Sequence, residues 1–194
     1  MKKMFNIRDF QKTGEDLYVG HMNNTHSGNL SIRENKVMHI SRTGGMLHRL
    51  EYTDIIETLI DGEDANTTKA SREIPVHRSI YMNTDALAIV HAHPPCLIAL
   101  SLKVDVINPI DVEGAYYFKQ GAPVLSVTNA IASDEVAEKI FPLFKIAPVV
   151  VIKGHGSFAI GKDLEDALHW TSSLEHSAKI LLLRNELELN PNYK

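Results

Sequence analysis

The chain has 194 residues, of which 44% are hydrophobic and 23% are charged, a balance typical of one globular domain spanning 1–194. Its formal net charge of −4, without a basic stripe, excludes a typical nucleic-acid-binding surface, and no apolar run reaches the roughly 18–20 residues of a membrane span. The single cysteine, Cys96, excludes an internal disulfide and a thiolate metal cage, and no signal-peptide pattern is present, so we expect a cytoplasmic protein.

The periodicity of the apolar residues predicts alternating helices and strands. In chain order, the predicted elements are a helix at 7–19, a hairpin at 27–41, a short segment at 52–60, a helix at 73–84, a strand at 85–93, a helix at 96–102, a strand at 124–128, a helix at 133–144, a strand at 147–156 and a helix at 163–186. This alternation predicts a sheet covered by helices, an α/β sandwich.

Boundary residues support several of these elements. The hairpin alternates apolar and polar positions around a polar turn at 34–36. Ser133 and Asp163 are suitable N-caps for the helices that follow them. Pro94 and Pro95 end the strand at 85–93, because proline cannot continue a hydrogen-bonded ladder.

Two histidines lie at the end of that strand, in the segment AIVHAHPPC at 88–96. Residues two apart on a strand project from the same face, so His91 and His93 point to one side, about 7 Å apart along the chain. A third histidine, His155, lies between two glycines at the end of the strand predicted at 147–156. Three such histidines suit a zinc-type site, although spacing alone leaves open that they are ordinary, partly buried histidines bonded to backbone.

The combination of VHAHPP (90–95) and GHG (154–156) resembles the zinc-binding signature of the class II aldolase/adducin family. The segments SGNLSIR (27–33), ISRTGG (40–45) and SREIPVHRSIY (71–81) are also similar to family segments, in the same order. The resemblance extends over about 15–185. It implies a three-layer α/β/α sandwich with a central, mainly antiparallel sheet.

The resemblance assigns roles to four residues. His91, His93 and His155 match the zinc ligands, although manganese, cobalt or iron would also suit three imidazoles. Glu73 matches the family's acid/base. The residues alone instead favour an exposed acid near a helix N-terminus, and the resemblance reverses that preference.

A phosphate pocket is also implied. Its matching residues are Gly28, Asn29, Thr43, Gly44 and Ser71, whose amides and short polar side chains can surround an oxyanion without a cationic cluster. The same residues are common in turns. Arg72 departs from the aldolase pattern, which has a small hydroxyl residue there, and its guanidinium either binds the phosphate or points to solvent.

Further candidates lie in DVEGAYYF (111–118), where the family has a proton-donating tyrosine. If this segment is a strand, Tyr116 and Tyr117 face opposite ways and only one serves, and we take Tyr116. Glu113 is a second candidate acid/base, because the dehydratase branch uses a glutamate near this position. Tyr193 is a candidate for the tyrosine that the tail of a neighbouring subunit contributes in family aldolases.

The resemblance implies a zinc-dependent aldolase that cleaves a ketose 1-phosphate to dihydroxyacetone phosphate and an aldehyde. The alternatives are a methylthioribulose-1-phosphate dehydratase, a pentulose-5-phosphate 4-epimerase, a decarboxylase, or a non-catalytic adducin-like binding module. Glu73 argues against the epimerase, which has aspartate there, and the three histidines argue against the binding module. A homotetramer with shared active sites is implied as well, and the apolar stripe of the helix at 163–186 gives it a partial physical basis.

Overall fold

The computed structural model describes residues 5–189, so the candidate Tyr193 lies outside the described residues. The helices are α1 (Ile7–Val19), α2 (Ile74–Asn83), α3 (Pro95–Ser101), α4 (Val112–Tyr117), α5 (Asp134–Ile140) and α6 (Leu164–Leu189). The strands are β1 (Asn29–Glu34), β2 (Val37–Ser41), β3 (Ile55–Leu59), β4 (Ala88–Ala92), β5 (Val106–Ile107), β6 (Ala122–Leu125), β7 (Val149–Ile152) and β8 (Gly156–Gly161).

Within residues 5–189 these eight strands form one open sheet in the order β3-β2-β1-β4-β8-β7-β6-β5. Neighbouring strands are antiparallel except β6 and β7, which are parallel. The predicted mainly antiparallel sheet is therefore confirmed. β4 lies at the centre, between β1 and β8.

Helices cover both faces of the sheet. Successive side chains of a central strand point to opposite sides, so apolar residues of that strand pack against helices on each face. Ala88 and Val90 of β4 pack into a core with residues of α1, α3 and α6, whereas Ile89 packs into a second core with residues of α2 and α5. The predicted three-layer α/β/α sandwich is confirmed. His91 projects from the same face as Ile89, towards the α2 side.

Most predicted elements are confirmed, including the first helix, the hairpin and both N-caps. The Ser133 hydroxyl accepts from Val136 N at 3.1 Å, and Asp163 Oδ1 accepts from Asp166 N at 2.9 Å. α5 is shorter than predicted and continues as a 3₁₀ turn at Phe141–Lys145, where Pro142 cannot donate an α-helical hydrogen bond.

Two predictions are wrong. The strand predicted at 147–156 ends at Ile152, and a turn that contains His155 leads into the unpredicted strand β8. The segment around Tyr116 is helical rather than extended, because Asp111 caps α4 by accepting from Gly114 N at 2.8 Å. Among residues 5–189, no helix has the length and apolar character needed to cross a membrane.

Candidate active site

Three histidines converge where β4 and the β7–β8 turn meet. His91 lies in β4, His93 follows its end, and His155 lies in the turn. One ligand nitrogen from each ring can be chosen so that all three lie within 4.8 Å of one another, and the Nε2 atoms of His91 and His93 are 3.1 Å apart. Two imidazole nitrogens on one tetrahedral zinc ion would be about 3.3 Å apart. The cluster therefore fits a metal ion.

Surrounding contacts fix the orientation of the rings. His91 Nδ1 donates to the Ser157 carbonyl at 2.9 Å, which leaves Nε2 with a free lone pair, and the ring stacks on Phe158 at 4.1 Å between centroids. A hydrogen bond of this kind at the far nitrogen is the usual support for a metal-binding histidine. Within residues 5–189, His155 Nδ1 is buried without a hydrogen-bond partner. An ion would satisfy a nitrogen in that position.

Gly156 permits the close approach of the two strands at the site. A Cβ atom there would collide with the Ala92 carbonyl and lie 2.9 Å from His93 Cδ2. Gly156 directly follows His155 in the sequence, and these two contacts are the reason that a side chain is excluded there.

The three imidazoles are held neutral. Burial lowers the pKa of His91 well below its usual value, with further lowering by the charges of His93 and His155. Burial also lowers the pKa of His93 to about 4 and lowers that of His155. Neutral imidazole is the form that binds a metal ion, so the cluster is ready to bind one at neutral pH.

Glu73 lies beside the histidines. It is only 6% exposed, its Oε1 accepts from Ala132 N at 3.0 Å, and the same oxygen is 4.0 Å from His155 Nε2. Its Oε2 is buried and has no hydrogen-bond partner among the described residues. Burial raises the pKa of Glu73, whereas the Ala132 hydrogen bond and the charge of Arg72 lower it. A buried carboxyl with one free oxygen at a cleft is suited to proton transfer.

The predicted phosphate-binding residues line the same cleft, which encloses about 210 Å³. They are Gly28, Asn29, Thr43, Gly44, Ser71 and Arg72. Gly28 has φ +77°, and a Cβ there would lie 2.5 Å from the carbonyl oxygen of His91, so a side chain is excluded. The cleft thus joins the histidine cluster to a polar pocket of amides and hydroxyls.

Two arginines line this cleft, and their environments differ. Arg42 Nε donates to Asp54 Oδ1 at 2.5 Å, and its Nη1 donates to the Thr43 carbonyl at 3.1 Å, so Arg42 supports the turn. Arg72 is exposed and makes no hydrogen bond or ion pair with another described residue. Its guanidinium is available to an anion.

Two candidates lie away from this cleft. Tyr116 is 69% exposed on α4, and Glu113, on the same helix, accepts at 3.1 Å from the Tyr117 hydroxyl. Neither lines the cleft within its own chain. Among the described residues, the structure therefore brings together the predicted site residues except Tyr116 and Glu113.

Three residues that support the site were not predicted from the sequence. Asn23 Oδ1 accepts a hydrogen bond from His93 N at 2.9 Å, and Ala132 N donates to Glu73 Oε1. The third residue is His77, whose Nε2 lies 2.5 Å from Asn29 Oδ1. His77 follows Glu73 by four residues and so shares its helix face, which is the one signal that could have identified it. No sequence signal marks Asn23 or Ala132.

Comparison with known proteins identifies the family. The model of the class II aldolase and adducin N-terminal domain matches residues 8–182. The chain therefore belongs to the class II aldolase and adducin family, as its motifs indicated.

The relatives of this chain differ in their activities. An L-fuculose phosphate aldolase of Methanococcus maripaludis (strain C5) is 30% identical over 164 residues, which cover 82% of this chain and 86% of that protein. A 3,4-dihydroxyphthalate decarboxylase of Rhodococcus jostii is 29% identical over 126 residues, or 62% of this chain, and the match spans only 52% of that relative. A 3-oxo-tetronate 4-phosphate decarboxylase and a methylthioribulose-1-phosphate dehydratase are each 31% identical.

The crystal structure of L-fuculose-1-phosphate aldolase from Thermus thermophilus is similar throughout. It superposes with a TM-score of 0.88 at 32% identity, covering 93% of this chain and 94% of that one. These relatives support the prediction that the chain is an enzyme of this family. The relatives carry out aldol cleavage, decarboxylation or dehydration, and the similarity does not distinguish which of these reactions the chain catalyses.

Proposed function

We propose that the protein is a zinc-dependent aldolase that cleaves a ketose 1-phosphate, of the L-fuculose 1-phosphate type, to dihydroxyacetone phosphate and an aldehyde. The observation that carries the proposal is that one cleft joins three neutral imidazoles, the buried Glu73 and a group of glycines and short polar residues. Each of these groups would serve one requirement of aldol cleavage: the imidazoles would hold a Lewis-acidic ion, Glu73 would carry a proton, and the pocket would anchor the phosphate.

His91, His93 and His155 would hold the ion. When bound, zinc polarises the substrate carbonyl and the neighbouring hydroxyl and stabilises the negative charge that develops as the carbon–carbon bond breaks. Three protein ligands leave open positions for substrate oxygens. The hydrogen bond between His91 Nδ1 and Ser157 holds that ring in the ligating tautomer.

Glu73 would carry the proton. Ala132 N–H holds Oε1, so Oε2 is the oxygen free to exchange a proton with a substrate hydroxyl or carbon. Burial raises the pKa of Glu73 and makes its carboxylate a better base than an exposed one.

The polar pocket would anchor the phosphate. Gly28, Asn29, Gly44 and Ser71 line it, and the exposed Arg72 adds a cation. Binding of the phosphate there orients the reacting carbons towards Glu73 and the histidines, and part of that binding energy lowers the barrier.

A second candidate is decarboxylation of a phosphorylated 3-oxo acid, because the Arg72 guanidinium makes no hydrogen bond or ion pair with another described residue. A guanidinium of this kind pairs well with a second anionic group on the substrate, such as the carboxylate that is lost. Both reactions break a carbon–carbon bond at the carbon next to a carbonyl and leave an enolate, so the same groups serve either reaction.

The proposal includes a cytoplasmic homotetramer with active sites at the subunit boundaries. In such an assembly Tyr116, which is exposed and absent from the cleft of its own chain, reaches the cleft of a neighbour as proton donor. A neighbouring subunit would also shield the open side of the cleft from water.

The test is a substrate panel of ketose 1-phosphates assayed for release of dihydroxyacetone phosphate, with 3-oxo acid 4-phosphates assayed for CO₂ in parallel. Glu73→Gln serves as the matched inactive control. Release of dihydroxyacetone phosphate by the wild type and not by the variant supports the aldolase. Release of CO₂ alone would replace the aldolase with the decarboxylase, and inactivity towards both classes would overturn the proposal.

A further inference from the structure

A chain of four buried polar side chains runs between α2 and β1 to the cleft. The Tyr81 hydroxyl lies 2.7 Å from Ser31 Oγ, which lies 2.7 Å from His77 Nδ1. The other nitrogen, His77 Nε2, lies 2.5 Å from Asn29 Oδ1. Asn29 lines the cleft. The catalytic roles proposed above use none of Tyr81, Ser31 and His77.

Tyr81 fixes the direction of the hydrogen bonds in this chain. Tyr81, Ser31 and His77 are each 0% exposed, so bulk water does not bond them. Among the described residues, the Tyr81 hydroxyl has Ser31 Oγ as its single hydrogen-bond partner. A buried phenol that does not donate leaves its hydrogen unsatisfied, so Tyr81 donates to Ser31.

The remaining bonds follow from the chemistry of each group. Ser31 has one hydrogen, and after accepting from Tyr81 it donates that hydrogen to His77 Nδ1. Burial lowers the pKa of His77 to about 3, so its ring is neutral and carries its hydrogen on Nε2. Nε2–H donates to Asn29, which must present its carbonyl oxygen to the histidine.

The consequence reaches the cleft. With Oδ1 bound to His77, the amide group of Asn29 has its NH₂ on the opposite side, and that nitrogen makes no hydrogen bond with another described residue. In the reverse orientation, the carbonyl oxygen would face the cleft and repel an anion. Which end of an amide faces a site is decided by such a network.

We infer that Tyr81, Ser31 and His77 are positioning residues that hold the NH₂ group of Asn29 towards the cleft as a donor for the phosphate or carboxylate group of the substrate. The inference rests on the proposed function in one respect, namely that the pocket receives an anion. It adds the mechanism by which a pocket with little positive charge favours an anion over a cation.

The first measurement is the tautomer of His77 in zinc-loaded protein labelled with ¹⁵N-histidine, with His77→Gln used to assign the signal. Long-range ¹H–¹⁵N correlation is expected to give a neutral ring with its hydrogen on Nε2. A ring with its hydrogen on Nδ1, or a charged ring, would overturn the inference. This readout requires no turnover, so it stays decisive if the protein cleaves no ketose 1-phosphate.

The second measurement is the affinity for inorganic phosphate of wild type, Tyr81→Phe and the control Tyr52→Phe, whose tyrosine is 69% exposed and does not line the cleft. Loss of one hydrogen bond in the chain is expected to weaken phosphate binding about 2- to 10-fold in Tyr81→Phe. The control should match the wild type, and zinc content should be equal in all three.

Two further outcomes are informative. Asn29→Asp keeps an acceptor for His77 but places a carboxylate oxygen at the cleft, and it should abolish phosphate binding while retaining zinc. Unchanged phosphate affinity in Tyr81→Phe would refute the positioning role. A wild type with the expected tautomer that binds no phosphate would refute the anion pocket itself, and with it the phosphate part of the proposed function.

Discussion

Acidification is expected to destabilise the fold through its buried histidines, and His77 gives the clearest test. Its side chain is fully buried, and burial lowers its pKa from 6.5 to about 3. Between these two values the unfolded chain binds a proton at this position and the folded chain does not. The free energy of unfolding therefore falls as the pH decreases through this window, and His77 has no effect above it.

The magnitude follows from the two pKa values. When the pH is lowered from 7 to 5, a histidine with these pKa values lowers the free energy of unfolding by about 2 kcal/mol. The three clustered histidines His91, His93 and His155 act in the same direction, because their pKa values are also lowered. The contribution of His77 is therefore measured as a difference between the wild type and a variant that cannot titrate there.

The assay is urea unfolding of wild type and His77→Gln at pH 7 and pH 5, at one protein concentration and with a chelator present. The variant is expected to be less stable at pH 7, because it loses the bond to Ser31. The wild type should nevertheless lose about 2 kcal/mol more than the variant between pH 7 and pH 5. Equal losses in the two proteins would show that His77 is not held neutral by burial.

Three other predictions concern the metal, the acid/base and the assembly. His93→Ala or His155→Ala should remove most bound zinc and all activity, and a variant with stoichiometric zinc would contradict the ligand assignment. Glu73→Gln should lower kcat by about 10²–10⁴-fold at normal zinc content, whereas inactivation by Glu113→Gln instead would favour the dehydratase. Light scattering at micromolar concentration should give four times the 21.7 kDa chain mass, and a catalytically active monomer would refute both the tetramer and the shared active sites.

Local signals in the sequence were sufficient for much of the fold. α1, the β1–β2 hairpin and the capped start of α6 depend on residues within a few positions of one another, so periodicity and capping identify them. The pairing of His91 and His93 on one face is also local, because it follows from the two-residue repeat of a strand.

Prediction failed where short segments take their structure from a neighbour. β8 is bounded by Gly156 and Gly161, residues that weaken a strand pattern, and it is held by β4 on one side and β7 on the other. α4 is a single capped stretch of six residues, too short for periodicity to distinguish it from a strand.

The candidate site divides in the same way. The sequence by itself determined which residue types are available: three histidines, one glutamate and the small polar residues of the pocket. Tertiary structure decided their proximity. The pairing of Ala92 with Ser157 brings together His93 and His155, which are 62 residues apart in the sequence. It also decided their chemistry, since the lowered pKa values of the histidines, the free oxygen of Glu73 and the bonds of His77 all depend on burial by distant segments.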